Sequence, residues 1–312
     1  MAITAAPVKT RPASPYLISN KRVSRKFQDN VTGYTFLIGA ILCFALFYWY
    51  PMIRGVVMSF QHTRRGVTTW VGWDNYVRIV HDVSFWAAWK NTLYFTLLAM
   101  LLGYAVPFFV AILLNELRHA KGYLRILVYL PVMLPPASSL FLFKYYAYDP
   151  SKAGLFNAIL SFLHLPTSQW MQSTAVAVPA MVIASTWMNM GSAVLIYLAS
   201  LQTIPGELYE AAELDGAGIL RRIWSVTIPQ TRLILALLAM LQIVATMQVF
   251  IEPLILANGA GTQDSATSVA YLIYQHGFFQ NDLNGASALG VIMLLVLAAF
   301  SAVYVRLTTK QD

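Results

Sequence analysis

The sequence predicts an all-α polytopic membrane protein with six transmembrane helices, and three observations point there. Of its 312 residues 58% are hydrophobic and only 11% are charged, against about 25% charge in a soluble domain. That is too little to coat a water-soluble globule of this length. The charges are also absent over whole stretches long enough to cross about 30 Å of hydrocarbon. Those stretches are continuous rather than alternating, as a β-barrel would require. Their hydrophobicity equally excludes a disordered chain.

The elements follow in chain order. Residues 1–30 are polar and basic, with Lys21, Arg22, Arg25 and Lys26 directly before the first charge-free run. This predicts a basic N-terminal tail and an uncleaved first helix at about 33–55, since no small-residue cleavage pattern is present. Cys43 falls in that run, where a small buried hydrophobe is the default reading, and a lone cysteine permits neither an internal disulfide nor a thiolate cluster. The second span is predicted at about 92–115 and the third, rich in proline, at about 125–146. A polar stretch interrupted by proline precedes the fourth, at about 175–201; the fifth lies at about 232–253, the sixth at about 284–306, and 308–312 form a short C-terminal end.

Lysine and arginine set the orientation. With the N-terminus inside, the inner segments carry 14 basic residues and the outer ones 7, so both termini are predicted to be cytoplasmic. The net charge of +8 is therefore read as basic loops beside lipid rather than as a nucleic-acid surface. Trp49, Trp70, Trp73, Trp86, Trp89 and Trp170 fall at predicted outer boundaries or loops, where interfacial anchoring accounts for them.

The inner segment between the fourth and fifth spans, residues 201–232 centred on a loop at 203–230, does not read as a loop. Pro205 suits a first helical turn, Glu207 and Glu210 favour the positive end of that helix, and Leu208, Ala211, Ala212 and Leu214 give it an apolar side. Gly216 is suited to end it in a left-handed conformation. A second short helix through Ile219, Ile223 and Trp224 is predicted to stop at Pro229. Such a bracket is either a docking surface or a helix pair lying on the membrane interface.

The residues Glu210-Ala211-Ala212, Asp215-Gly216-Ala217 and Ile228-Pro229 resemble the EAA loop of bacterial ABC-importer permeases. With 198–209, Gly72-Trp73-Asp74-Asn75-Tyr76, Asn91-Thr92-Leu93, Leu130-Pro131 and Pro135-Pro136, the chain is similar to the carbohydrate branch, which includes the maltose and glycerol-phosphate permeases. The resemblance implies a coupling helix that inserts into a cleft of a cytoplasmic ATPase dimer. Glu210 would be its acidic contact, Ala211 and Ala212 small enough for the cleft, Asp215 a cap or contact, Gly216 the bend and Pro229 the end of the motif. It further implies a second permease subunit, an extracytoplasmic solute-binding protein, and residence in a bacterial or archaeal cytoplasmic membrane. The chain has no G-x-x-x-x-G-K-[ST] run, so no ATPase activity or cofactor is expected on it. ATP and magnesium would sit on the partner.

For the solute, Ser185, Asn189 and Ser192 follow i, i+4, i+7 spacing and form one polar stripe, and Gln242 and Thr246 share a face. Interhelical hydrogen bonding is the alternative account of each. Gln248 lies about 120° or more away from that face and ranks lower. Counting outward from the EAA-like loop, the resemblance adds Met188 to a substrate path of Ser185, Met188, Asn189, Ser192, Gln242 and Thr246. No charge lies within the predicted spans apart from boundary residues such as Glu252, which favours a neutral sugar, oligosaccharide or polyol. It also argues against the rival reading, a secondary carrier, because proton coupling needs a buried carboxylate or histidine relay. The turn Asn258-Gly259-Ala260-Gly261 is expected either to be a flexible outer loop or to face the solute-binding protein.

Overall fold

A computed structural model describes residues 21–116, 121–259 and 261–309. Of the expected N-terminal tail, 1–20 lies outside them, as do Arg118, Ala260 and the end 310–312. The chain divides into two units, residues 1–54 and 55–312. In the first, α1 (Lys21–Phe44) passes through a π turn at Ala45–Trp49 into α2 (Tyr50–Ser59). The helix therefore starts about a dozen residues before the predicted span, within the expected tail. Cys43 is exposed rather than buried. The most apolar 18-residue window of the helix Asn30–Ser59 has no buried residue within the chain, as suits a helix whose apolar surface faces lipid.

In the second unit, which takes in the last residues of α2, a two-stranded antiparallel hairpin follows, β1 (Gln61–Arg64) and β2 (Val67–Trp70). The all-helical expectation did not include it. Arg65 and Gly66 take positive φ at its turn, and glycine tolerates that cheaply. Then come α3 (Asp74–Val80) and α4 (Val83–Ala99), the latter N-capped by Asp82, whose side chain accepts the Ser84 N–H, and a π turn at Met100–Tyr104 joins α4 to α5 (Ala105–Glu116). These form one 34-residue apolar helix, starting nine residues before the predicted second span.

The predicted third span is two helices, α6 (Lys121–Met133) and α7 (Pro136–Leu142), bent by 99° at the break. Proline explains the break. Pro135 disfavours the helical region for Leu134 and has no N–H to donate, while Pro136 takes a first-turn position in α7. A short α8 (Leu155–Phe162) precedes α9 (Ala177–Leu201). Trp170, which the sequence suggested as an interfacial anchor, also has partners within the protein. It stacks among Tyr148 and Phe156 and donates Nε1–H to Asn157 Oδ1 at 3.1 Å. Trp49, Trp70, Trp73 and Trp86 are exposed, as anchors would be.

After α9 come α10 (Gly206–Leu214), α11 (Ile219–Arg222) and α12 (Ile228–Met247), then α13 (Ile251–Leu256), α14 (Val269–Tyr274) and α15 (Leu283–Thr309). Pro229 does not stop a helix. A π turn at Ile223–Thr227 widens the spiral, Ile228 N–H donates to Ile223 O, and 219–247 continues as one apolar helix. The wider turn leaves room for the ring and for the donor that Pro229 lacks. Among the described residues, five helices are long and apolar enough to cross a membrane, and six if the bent α6–α7 pair is one span.

The long α9 is the hub of this unit, packing on α4, α5, α6 and α12. Two apolar cores lie along it, one around Phe95, Leu140, Val182 and Leu256 and one around Phe108, Val194, Tyr197 and Leu198. A third joins α3, α4, α14 and α15 through Ile79, Phe85, Val269 and Leu289.

Candidate functional site

Two features stand out, a cavity and a bracket. A cavity of about 420 Å³ opens between α4, the π turn at 100–104, α9, α12 and the segment that follows α12, within the usual ~300–1,000 Å³ range of ligand sites. Ser185, Asn189, Gln242 and Thr246 all line it, so four of the six expected path residues meet. Met188 is instead buried in the apolar core, and Ser192 is exposed outside the cavity. The helical wheel explains both. The lining residues Val182, Ser185, Thr186, Asn189, Met190 and Ala193 centre about 70° round from Ser185 at about 100° per residue, whereas Ser192 lies about 90° and Met188 about 130° from that direction. The polar stripe overlaps the cavity face without coinciding with it.

The sequence reading missed Thr186, Gln248, Phe95, Phe250 and Glu252, which complete the wall. Gln248 and Glu252 were misplaced because the fifth span was drawn as helical to about 253. The helix ends at Met247, Gln248 is its cap, and Phe250 has φ −135°. Pro253 supplies a cause. A continuous helix would need its N–H to reach the carbonyl of Val249, and proline has none. Ser268 Oγ–H takes that carbonyl instead, at 2.6 Å. The chain turns, and Gln248 and Glu252 come round to the cavity.

Inside, Ser185 Oγ–H donates to Glu252 Oε1 at 2.7 Å. Asn189 Nδ2 donates to Ser185 O at 2.9 Å, and Thr246 Oγ1–H to Gln242 O at 2.7 Å. Gln242 lies across Gly103, where a Cβ would come within 2.7 Å of its Nε2. The glycine is thus the space that the amide occupies. Phe95 and Phe250 supply aromatic surface beside hydroxyl, amide and carboxyl groups, a set able to hold a polyhydroxylated solute.

The bracket lies at the other end of α9. Pro205 leads into α10, which Gly216 closes with φ +74°; Gly216 N–H donates to Glu213 O and Ala217 N–H to Ala212 O, both at 2.9 Å. This is the glycine-terminated helix end expected of residue 216. Tyr209 Oη lies 3.0 Å from Thr227 Oγ1, and Arg222 Nη1 lies 3.2 Å from Glu213 Oε2, so α10 is tied back to the start of the fifth span. Glu210, Ala211, Asp215, Gly216 and Pro229 are exposed, with Ala212 half-buried. Leu214, Ile219, Leu220 and Trp224 are exposed as well, an apolar set on a braced frame.

A third cluster ties the hairpin end together. Asp282, between α14 and α15, receives Arg78 Nη1–H at 2.7 Å and the Gly285 N–H at 2.9 Å, with His276 Nδ1 at 3.3 Å. Burial alone would push the Asp282 carboxyl up, but the hydrogen bonds from His276, Arg78 and Gly285 and the Arg78 charge outweigh it and hold the group well below the usual carboxylate range.

Known proteins match this arrangement over nearly the whole chain. The family described as "Binding-protein-dependent transport system inner membrane component" matches residues 85–311. The arabinooligosaccharides transport system permease protein AraP of Halalkalibacterium halodurans is 27% identical over 296 residues, covering 93% of each chain. A bacterial ABC transporter involved in the import of the acidic polysaccharide alginate is similar in structure, with a TM-score of 0.79 and 25% identity over 92% of this chain and 99% of that one. A bacterial alginate ABC transporter in complex with an alginate pentasaccharide-bound periplasmic protein gives a TM-score of 0.78 at 25% identity, over 91% and 96% of the chains.

Proposed function

The chain belongs to the family of inner-membrane components of binding-protein-dependent transport systems, and from that premise we propose that it is the permease subunit of an ATP-driven importer for a neutral oligosaccharide or related polyol. The observation that carries the coupling half of this reading is the bracket. Glu210 and Ala211 on α10, and Asp215 and Gly216 just past its end, are exposed, while Tyr209 and Glu213 tie the helix to Thr227 and Arg222. A rigid, exposed, partly apolar element joined directly to α9 and α12 suits a lever that an ATPase dimer pushes. Both helices line the cavity, so a rigid-body movement of the bracket would reshape the site.

The names of the relatives support the solute half. One serves arabinooligosaccharides and another alginate. The amide and hydroxyl lining beside Phe95 and Phe250 suits saccharide hydroxyls and faces. A periplasmic protein accompanies the alginate transporter, which supports a solute-binding partner here. The other partners we propose are a second permease and a cytoplasmic ATPase carrying ATP and magnesium, with both termini on that ATPase's side.

The test is purification of the tagged chain from native membranes, followed by uptake in vesicles. We expect an ATPase and a second permease to co-purify, with saccharide uptake that follows ATP and ignores a proton uncoupler. No Cβ contact lies within 4 Å at Gly216, so Gly216→Leu strains only the backbone, by about 1–2 kcal/mol. It should leave assembly intact and lower uptake at least about tenfold. A solitary chain, or uptake that an uncoupler abolishes at constant ATP, would replace the importer by a secondary carrier.

A further inference from the structure

Glu252 is the one acidic residue in the cavity wall. It is 7% exposed, and none of the ion pairs among the described residues involves it. Lys144 is turned to Ile255 O and Asn258 Oδ1 and lines a different cavity. Ser185 supplies one hydrogen bond to Oε1, whereas a carboxylate accepts at about four positions. The Glu252 backbone N–H takes a further part of that capacity, and what remains is presented to the cavity that Glu252 lines. A buried acid without a cation is costly, and where it persists in a membrane protein it faces a polar pathway. The amides of Gln242 and Asn189 donate to Ala99 O and Ser185 O and keep their oxygens as neutral acceptors, so the carboxylate is the strongest acceptor in the wall.

We propose that Glu252, oriented by Ser185, is a specificity-determining residue that accepts hydrogen bonds from the hydroxyls of a neutral saccharide and rejects saccharides carrying carboxylates. This rests on the importer reading and separates the chain from the structurally similar alginate transporter, whose solute is acidic. A uronate carboxylate placed against Glu252 would meet a like charge with no cation to offset it, whereas a hydroxyl donor would meet an unfilled acceptor.

The charge of the cavity can be read without knowing the solute. In the assembled importer, with Cys43→Ser to remove the native thiol, Asn189→Cys places a reporter on the wall, and Thr246→Cys provides a second. Each is modified with the trimethylammonium-ethyl and the sulfonato-ethyl methanethiosulfonates. With Glu252 present the cationic reagent should be favoured over the anionic by about a hundredfold more than in the Glu252→Gln variant, because one charge about 10 Å away at an effective dielectric near 20 changes each rate about tenfold, in opposite directions. Glu252→Asp should restore the preference. Equal reagent ratios with Glu and Gln, while the unmodified complex shows ATP-driven saccharide uptake, would overturn the charge filter alone. Absence of that uptake from the unmodified complex would overturn the importer reading and the filter with it.

Discussion

At the scale of single residues, several side chains serve to complete a backbone that proline has interrupted. Ser268 is the clearest case. Its hydroxyl takes the Val249 carbonyl that Pro253 leaves empty, and its oxygen accepts the Tyr271 N–H at the start of α14. Removing it orphans a buried carbonyl and a helix cap together. Ser268→Ala is expected to cost about 2 kcal/mol, whereas Ser268→Thr, which keeps the hydroxyl, should cost less than half of that. The unfolding midpoint of the detergent-purified chain measures both, and equal losses would show that the hydroxyl is not the stabilising group. Ser268 matters to the site at one remove, since the bend it supports is what brings Gln248 and Glu252 to the cavity.

At the scale of elements, the contacts of α9 depend on where it carries small residues. A Cβ at Gly191 would lie 2.6 Å from Val128 O and 2.9 Å from Tyr129 Cα on α6, so the two helices touch backbone to backbone as packed membrane helices often do. Gly191→Ala should destabilise the pair by about 1–3 kcal/mol, the usual cost of overpacking. Gly290 in α15 has nothing within 4 Å of its Cβ position, and Gly290→Ala should be neutral or stabilise by up to about 1 kcal/mol. Thermal inactivation of the two variants side by side distinguishes close packing from generic helix propensity. Element types were largely legible in the sequence, because long uncharged runs admit few alternatives in a bilayer. Element ends were less so. The 99° break between α6 and α7 follows from Pro135-Pro136, yet Pro229 sits inside a helix without breaking it. A π turn at 223–227 absorbs the second proline, and composition does not distinguish the two outcomes.

At the scale of the whole molecule, the second unit is pinned at its hairpin end by polar contacts between distant segments. Asn284 Oδ1 accepts the Thr63 N–H and its Nδ2 donates to Met58 O; Asn91 reaches Asp264 O and Thr267 O; Asp282 holds Arg78 and His276. The carboxyl of Asp282 is depressed in the folded state, so its stabilising contribution is complete above the ordinary aspartate value of about 3.9 and declines as pH falls below it toward the lowered folded value. Protection from hydrogen exchange at the start of α15, taken relative to the intrinsic exchange rate at each pH, should therefore fall below about pH 4 in the unmodified chain. In Asp282→Asn the protection should already be lower at pH 7 and change less on acidification. Parallel pH profiles for the two proteins would exclude Asp282 as the pin.

The amino-acid order alone determined the membrane class, the approximate spans, the bracket with its glycine end, and the family to which the chain belongs. Each rests on local properties, namely uncharged length, turn chemistry and a contiguous motif. The tertiary structure decided which polar groups share a cavity. Ser185, Asn189, Gln242 and Thr246 converge because α9 and α12 pack together, but Met188 and Ser192 fall away because the cavity face is rotated from the polar stripe. Glu252 looks like a boundary residue in the sequence. It became part of the wall because Pro253 removes one hydrogen-bond donor, and a serine fifteen residues further on accepts the consequence.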